Sequence, residues 1–195
     1  MTERQRVELL QRFPGFELRR YPAHLVAEVE VEGSFVGAAN RAFGTLLGYI
    51  SGANSTRGTV AMTAPVVQVE APGARIPMTA PVVQEPGAAP GRHLVAFVMP
   101  AESTLDTLPT PADPRVRIRQ VAAEVAAARR FAGRWSEGRY RIELAALRRA
   151  VSRAGLEVTG APRFARFNPP WTPWFLRHNE VLLPVAGAPG QTPRS

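Results

Sequence analysis

A chain of 195 residues that is 45% hydrophobic fits one domain, or two small halves sharing a core. It holds no run of about 18 apolar residues that would span a membrane, and its charged N-terminus, MTERQRVELLQRF, lacks the apolar stretch of a secretory signal. With no cysteine it has no disulfide, no thiolate ligand, no cysteine nucleophile and no Cys-x-x-Cys-His attachment point for a cofactor; this composition suits a reducing cytoplasm.

The net charge is +8, and all 24 basic residues are arginine. The guanidinium fork pairs bidentately with carboxylates and phosphates, so an anionic ligand is one use for the excess. The arginines are scattered, at Arg19 and Arg20, Arg115 to Arg119, Arg129 and Arg130, Arg148 and Arg149. Solvated strand and helix faces are expected, and no nucleic acid is expected as a partner.

In chain order, Phe16–Tyr21 and Leu25–Val31 read as strands. In the second, Val29 and Val31 alternate with Glu28, Glu30 and Glu32, the period of a half-buried strand. Gly33 breaks the pattern and Ser34 can cap a helix. Phe35, Ala39, Ala42, Phe43, Leu46, Leu47 and Ile50 then recur at helical spacing over Phe35–Ile50. Thr59–Val69 and Ile76–Gln84 read as strands carrying the same seven letters, MTAPVVQ, at Met62–Gln68 and Met78–Gln84. Pro65 and Pro81 cannot donate to a ladder, so an edge or a bulge is expected at each. Thr63 and Thr79 are expected to satisfy backbone groups beside those prolines. His93–Met99 is a strand and Pro100–Pro114 a connector.

The second half opens with the alternating Val116-Arg117-Ile118. Glu124–Phe131 is alanine-rich, which favours helix, but it leads into Gly133 and a helical stretch, Ser136–Arg153, with Tyr140, Leu144, Leu147 and Val151 as its stripe. A strand–Gly–helix unit thus occurs at Gly33 and again at Gly133, and on that analogy Glu124–Phe131 is read as a strand. Arg163–Phe167 and Glu180–Val185 close the fold as strands. Residues 1–14 are read as an N-terminal segment, 15–186 as a single domain with halves at 15–100 and 115–186, and 187–195 as a disordered tail.

Several strings, in order, carry a resemblance: FELRRYP at Phe16–Pro22, FGTLLGYISGAN at Phe43–Asn54, VAMTAPV at Val60–Val66, LVAFVMP at Leu94–Pro100, LPTPADPRV at Leu108–Val116, RFAG at Arg130–Gly133 and FNPPWTPWFLRHNEV at Phe167–Val181. With these the chain resembles the bacterial members of the SOUL haem-binding protein family. The resemblance implies an α+β fold: a distorted antiparallel β-barrel with two helices, built from two pseudo-symmetric β-α-β halves. The effector-binding domains of gyrase-inhibitor-like proteins and some transcription regulators are similar in architecture.

The resemblance also implies a tetrapyrrole groove along the first helix and the loop before the last strand. Carried over, the helix contributes Phe43, Leu46 and Leu47, the loop Pro169, Pro170, Trp171 and Trp174, and the nearest cations are Arg41 and Arg177. Haem needs an apolar slot, cations for two propionates and, optionally, an axial ligand. His178 stands where the family commonly shows asparagine after arginine, and it is the axial candidate; His24 and His93 open strands. Met62 and Met78 fit packing better than ligation.

No metal-ligand spacing, nucleophile elbow or phosphate loop is present. No catalytic residue is assigned. The expected function is non-covalent binding of haem or a porphyrin for buffering or transfer. The alternative is a small-molecule effector-binding or hydrolase-like pocket, with Glu180 as a general base or as a partner of Arg177.

Overall fold

The computed structural model describes residues 3–55, 73–168 and 172–186. In chain order they form β1 (Glu3–Arg4), β2 (Glu8–Phe13), β3 (Phe16–Tyr21), β4 (His24–Glu32), α1 (Phe35–Ile50), β5 (Asn54–Ser55), β6 (Thr79–Pro86), β7 (Arg92–Val98), β8 (Thr110–Pro111), β9 (Arg117–Val121), β10 (Glu124–Phe131), α2 (Glu137–Arg153), β11 (Arg163–Arg166), a 3-10 turn at Trp174–Leu176 and β12 (Asn179–Pro184). The first MTAPVVQ copy, with Met62, Thr63 and Pro65, the loop residues Pro169, Pro170 and Trp171, and the tail 187–195 lie outside the described residues.

One curled antiparallel sheet runs β2-β3-β10-β12-β11-β6-β7-β4-β9, and β1 joins it in parallel beside β6. From β3 to β9 the order is a palindrome about the β11–β6 seam. Moving outward from the seam, β11 matches β6, β12 matches β7, β10 matches β4 and β3 matches β9. The fold is therefore the expected α+β pair of similar halves. Each half leaves its long strand through a glycine, Gly33 with φ 127° and Gly133 with φ 132°, a region that favours a residue without Cβ. Each then caps its helix with a serine: Ser34 accepts from the Gly37 amide at 3.3 Å and Ser136 from the Arg139 amide at 3.2 Å.

Both helices cover the same face of the sheet. From α1, Ala42, Leu46, Tyr49 and Ile50 pack on Leu25, Ala27, Val29, Val95 and Phe97. From α2, Tyr140, Leu147 and Val151 pack on Leu18, Ala127, Phe164, Val181 and Leu183. Each fully buried leucine here stabilises the fold by about 1.5–3 kcal/mol relative to an exposed one. The other face carries Tyr21, Ala126, Ala128, Ala165 and Leu182 in one cluster and Val26, Ala96 and Val98 in another. The alanines of β10 thus serve a strand: Ala127 fits beneath α2, and its neighbours keep the opposite face shallow.

Three features differ from the sequence reading. Residues Glu8–Phe13, in the stretch read as an N-terminal segment, form an edge strand that the sequence reading did not assign, β2, paired with β3 through a tight turn. Their side chains are mostly exposed, so no alternation marks them. The second MTAPVVQ copy is central: β6 pairs with β11 and with β7. The expected irregularity at Pro81 is a register shift between Thr79 and Val82. Thr79, however, satisfies nothing; its buried hydroxyl has no hydrogen-bond partner.

A Cβ added at Gly133 meets nothing within 4 Å, so Gly133→Ala isolates the backbone effect. The variant is expected to lose about 1–3 kcal/mol, the usual cost of a strained dihedral, read as a lower urea midpoint with an unchanged slope.

Candidate functional site

On the helix-bearing face, α1 and the segments before α2 and β12 leave a gap over the β11–β6 seam. Ala39, Asn40 and Phe43 of α1, Val82 of β6, Arg166 of β11, Trp135 and Asn168 line a cavity of about 260 Å³. Phe43 is held by an edge contact to Phe97, with ring centroids 5.4 Å apart. Trp135 is fixed by its indole N–H, which donates to Asn179 Oδ1 at 2.8 Å, while Asn179 donates to the Gly133 carbonyl at 3.1 Å.

Arg166 is the unusual group in this cavity. Its side chain points to the helix face because it shares strand parity with Phe164, and only 6% of the residue is exposed. It donates to Gln84 Oε1 at 2.9 Å, and its guanidinium lies 5.0 Å from the Trp135 ring centroid and 5.6 Å from that of Phe35. Its buried Nε has no partner, and it forms no ion pair with any described carboxylate. Burial pulls its pKa below the ordinary arginine value; Tyr140 opposes that shift and the Arg177 charge adds to it. A desolvated cation without a counter-ion is costly, and this one borders a cavity.

Of the site residues expected from sequence, Phe43 lines the cavity. Arg177 reaches its edge, stacked 4.2 Å from the Trp135 centroid and donating from Nε to the Thr172 carbonyl at 2.8 Å. Trp174 is 49% exposed and Leu47 39%; Trp174 meets Phe175 edge-on and takes Arg134 over its ring. Leu46 is fully buried in the core beneath α1. Arg41 is exposed and binds the Glu32 carbonyl at the end of β4.

His178 lies on the opposite face of the sheet and is not brought together with Phe43. Side chains alternate along β12, so Asn179, Val181 and Leu183 face the helices, and His178, Glu180 and Leu182 face away. The His178 ring stacks on Phe167, with centroids 4.1 Å apart, and its Nε2 lies 2.8 Å from Glu180 Oε1. Glu180 is 1% exposed and also receives the Arg19 fork at 2.9 and 3.1 Å. Burial alone would raise the Glu180 pKa, but the bonds from His178 and Arg19 and the Arg19 charge bring it below the ordinary value. With both oxygens engaged, Glu180 is a structural anion rather than a poised base. Arg177, its other expected partner, sits across the sheet at Trp135.

Trp135 and Arg166 were missed from sequence. A signal for Arg166 existed: in Arg163-Phe-Ala-Arg166 it falls on the apolar face of its strand. Trp135 follows Gly133 in a connection and carries no comparable mark. Among the described residues no group of three or more His, Asp or Glu can hold a metal ion, and no helix is long and apolar enough to cross a membrane.

A family model described as SOUL heme-binding protein matches residues 2–74 and 69–184. No curated protein matches the chain. Among solved structures, the chain is similar to the EcmrR C-terminal domain, with a TM-score of 0.61, 12% identity and coverage of 87% of this chain and 95% of that one. A hydrolase from Listeria innocua gives a TM-score of 0.53 at 13% identity, over 87% of this chain and 91% of that one. SAV2435 bound to tetraphenylphosphonium gives 0.50 at 9% identity, over 88% and 94%. At these identities the likeness is one of fold.

Glu180→Gln is expected to destabilise the protein by about 3 kcal/mol, the usual cost of breaking a buried pair. Because the folded pKa is depressed, the wild-type advantage is full above the ordinary carboxyl value of about 4.3 and fades as pH falls from there through the folded value. Urea midpoints across that range are expected to converge at acid pH; parallel curves would contradict the assignment.

Proposed function

This chain belongs to the SOUL heme-binding protein family, and from that membership we propose that it holds haem or a related porphyrin non-covalently in the groove between α1 and the loop before β12, for buffering or transfer. The observation that carries the reading is Arg166, a buried cation with no described carboxylate beside it, at the wall of an aromatic cavity. A propionate is the counter-ion that this position lacks. Phe43, Val82 and Trp135 offer apolar faces to a flat ring, and Arg177 offers a second cation at the edge. Leu47 and Trp174 are exposed and Leu46 is buried in the core, and none of the three lines the cavity.

Haem would supply iron and two carboxylates when bound; the chain's own residues supply apolar contact and charge. No histidine among the described residues lines the groove. His178 is across the sheet, so retention rests on stacking and propionate pairing. The cavity is smaller than the roughly 300–1,000 Å³ of pockets that enclose most of a ligand. The macrocycle therefore stays partly open to solvent, which suits release as much as storage. The lack of cysteine fits the reducing cytoplasm that we propose as its setting, and among the described residues no helix is long and apolar enough to cross a membrane.

Hemin titrated into the purified protein is expected to give a saturable Soret change. Arg166→Gln is expected to weaken binding about tenfold, the worth of one charge-assisted hydrogen bond; because it also removes the bond to Gln84 Oε1, its urea midpoint is measured alongside, so that lost binding is read on folded protein. His178→Ala is expected to leave the Soret spectrum unchanged. Failure to saturate at micromolar protein, or an Arg166→Gln curve that overlies the wild type, would overturn the proposal.

A further inference from the structure

A second cavity opens on the face of the sheet that carries no helix. It measures about 650 Å³ and is lined by residues of the N-terminal segment, β3, β10 and β12, with Phe167 and His178. It shares no lining residue with the groove. Its size falls in the usual range for small-molecule sites. Sequence accounts for the space: the helix-free positions near it are Ala126, Ala128 and Ala165, too small to fill the curl of the sheet. The N-terminal segment stands over it, with the Gln5 amide donating to the Ala80 carbonyl at 2.8 Å.

We propose that this cavity is a separate binding site for a small molecule that combines a flat aromatic body with an anionic group. Three observations specify that chemistry. First, Tyr21 lines the cavity, is only 4% exposed, and its hydroxyl has no hydrogen-bond partner. That hydroxyl is closed off behind the cavity wall; an orphaned buried hydroxyl costs about 1–3 kcal/mol, and a polar ligand group that displaces the side chains over it would satisfy it. Second, the carboxylates of the lining are already engaged. Glu180 is held by Arg19 and His178, and Glu17 by Arg12 and Arg19. Arg129 is matched by Glu143 of α2. What remains is Arg4 and Arg130, both exposed at the mouth and without an ion pair among the described residues. The remaining charge is positive, and it favours an anion over a cation. Third, Phe167 lies parallel to the His178 ring, their planes 8° apart, and with Ala128 and Leu182 it gives a flat apolar wall.

The probe is 1-anilinonaphthalene-8-sulfonate, an aromatic anion, added to the full-length folded protein and followed by fluorescence. Saturable binding is expected. The double variant Arg4→Gln/Arg130→Gln is expected to weaken it about tenfold, and Tyr21→Phe about fivefold, as for a charge-assisted and a neutral hydrogen bond. Tyr21→Phe removes an unsatisfied group, so its thermal midpoint is expected to hold or rise, which separates lost binding from lost folding. Arg166→Gln is expected to bind the probe as wild type does, and hemin is not expected to displace it. Tetraphenylphosphonium, an aromatic cation, is expected to compete poorly. No saturable binding, insensitivity to both the mouth pair and Tyr21→Phe, displacement by hemin, or stronger binding of the cation would each overturn the proposal. None of these outcomes depends on whether the groove takes haem.

Discussion

The structure turns on the seam where its two halves meet. Strands β11 and β6 share only three paired positions, Phe164 with Gln84, Ala165 with Val83 and Arg166 with Val82. A short buried polar chain reinforces them. Arg166 donates to Gln84 Oε1, and Gln84 donates from Nε2 to the Phe35 carbonyl at 3.0 Å. That chain links the second half to the first and to the opening turn of α1. Gln84 is 1% exposed, so each of these bonds is made where water cannot substitute, and losing one partner strands the others. The cavity lies over this joint, between α1 of the first half and the segments before α2 and β12 of the second.

The alternation of a strand then separates two chemistries that are adjacent in sequence. Arg177 joins Trp135 on one side of the sheet, and His178 joins Phe167 on the other. Along β12 the same alternation places Asn179 under Trp135 and Glu180 against Arg19. A sheet is a thin partition, and side chains one residue apart serve different compartments. Grouping residues by nearness in sequence, as Arg177 and His178 invite, therefore joins what the fold divides.

Much of the fold could be read from the chain because period and punctuation agreed. Phe16–Tyr21, Phe35–Ile50 and Glu124–Phe131 have the bounds that their patterns suggest, the last on the strength of the repeated strand–Gly–helix unit against alanine's helical preference. β2 was hidden because an exposed edge strand needs no apolar face. Of the residues lining the cavity, Phe43 was legible in the helix pattern; the cavity's electrostatics were not. Arg41 and Arg177 were the nearest cations in sequence, whereas the buried one, Arg166, comes from a strand of the other half. Only the closure of β11 on β6 places it beside α1.

Two arginines, Arg19 half-buried and Arg166 buried, show what a counter-ion decides. Arg19 meets Glu17 and Glu180, so its charge is neutralised where it stands, and its role is to hold β3 against β12. Arg166 has one neutral hydrogen bond and the faces of Trp135 and Phe35. A cation–π contact contributes about 0.5–2 kcal/mol and a hydrogen bond to a charged group about 1.5–3 kcal/mol. The effective penalty for burying an ion is several kcal/mol, of the same order as these contacts together. The same residue type is thus a neutralised clamp on one face and a cation without a described carboxylate on the other, and the difference lies in which carboxylates the topology delivers to each.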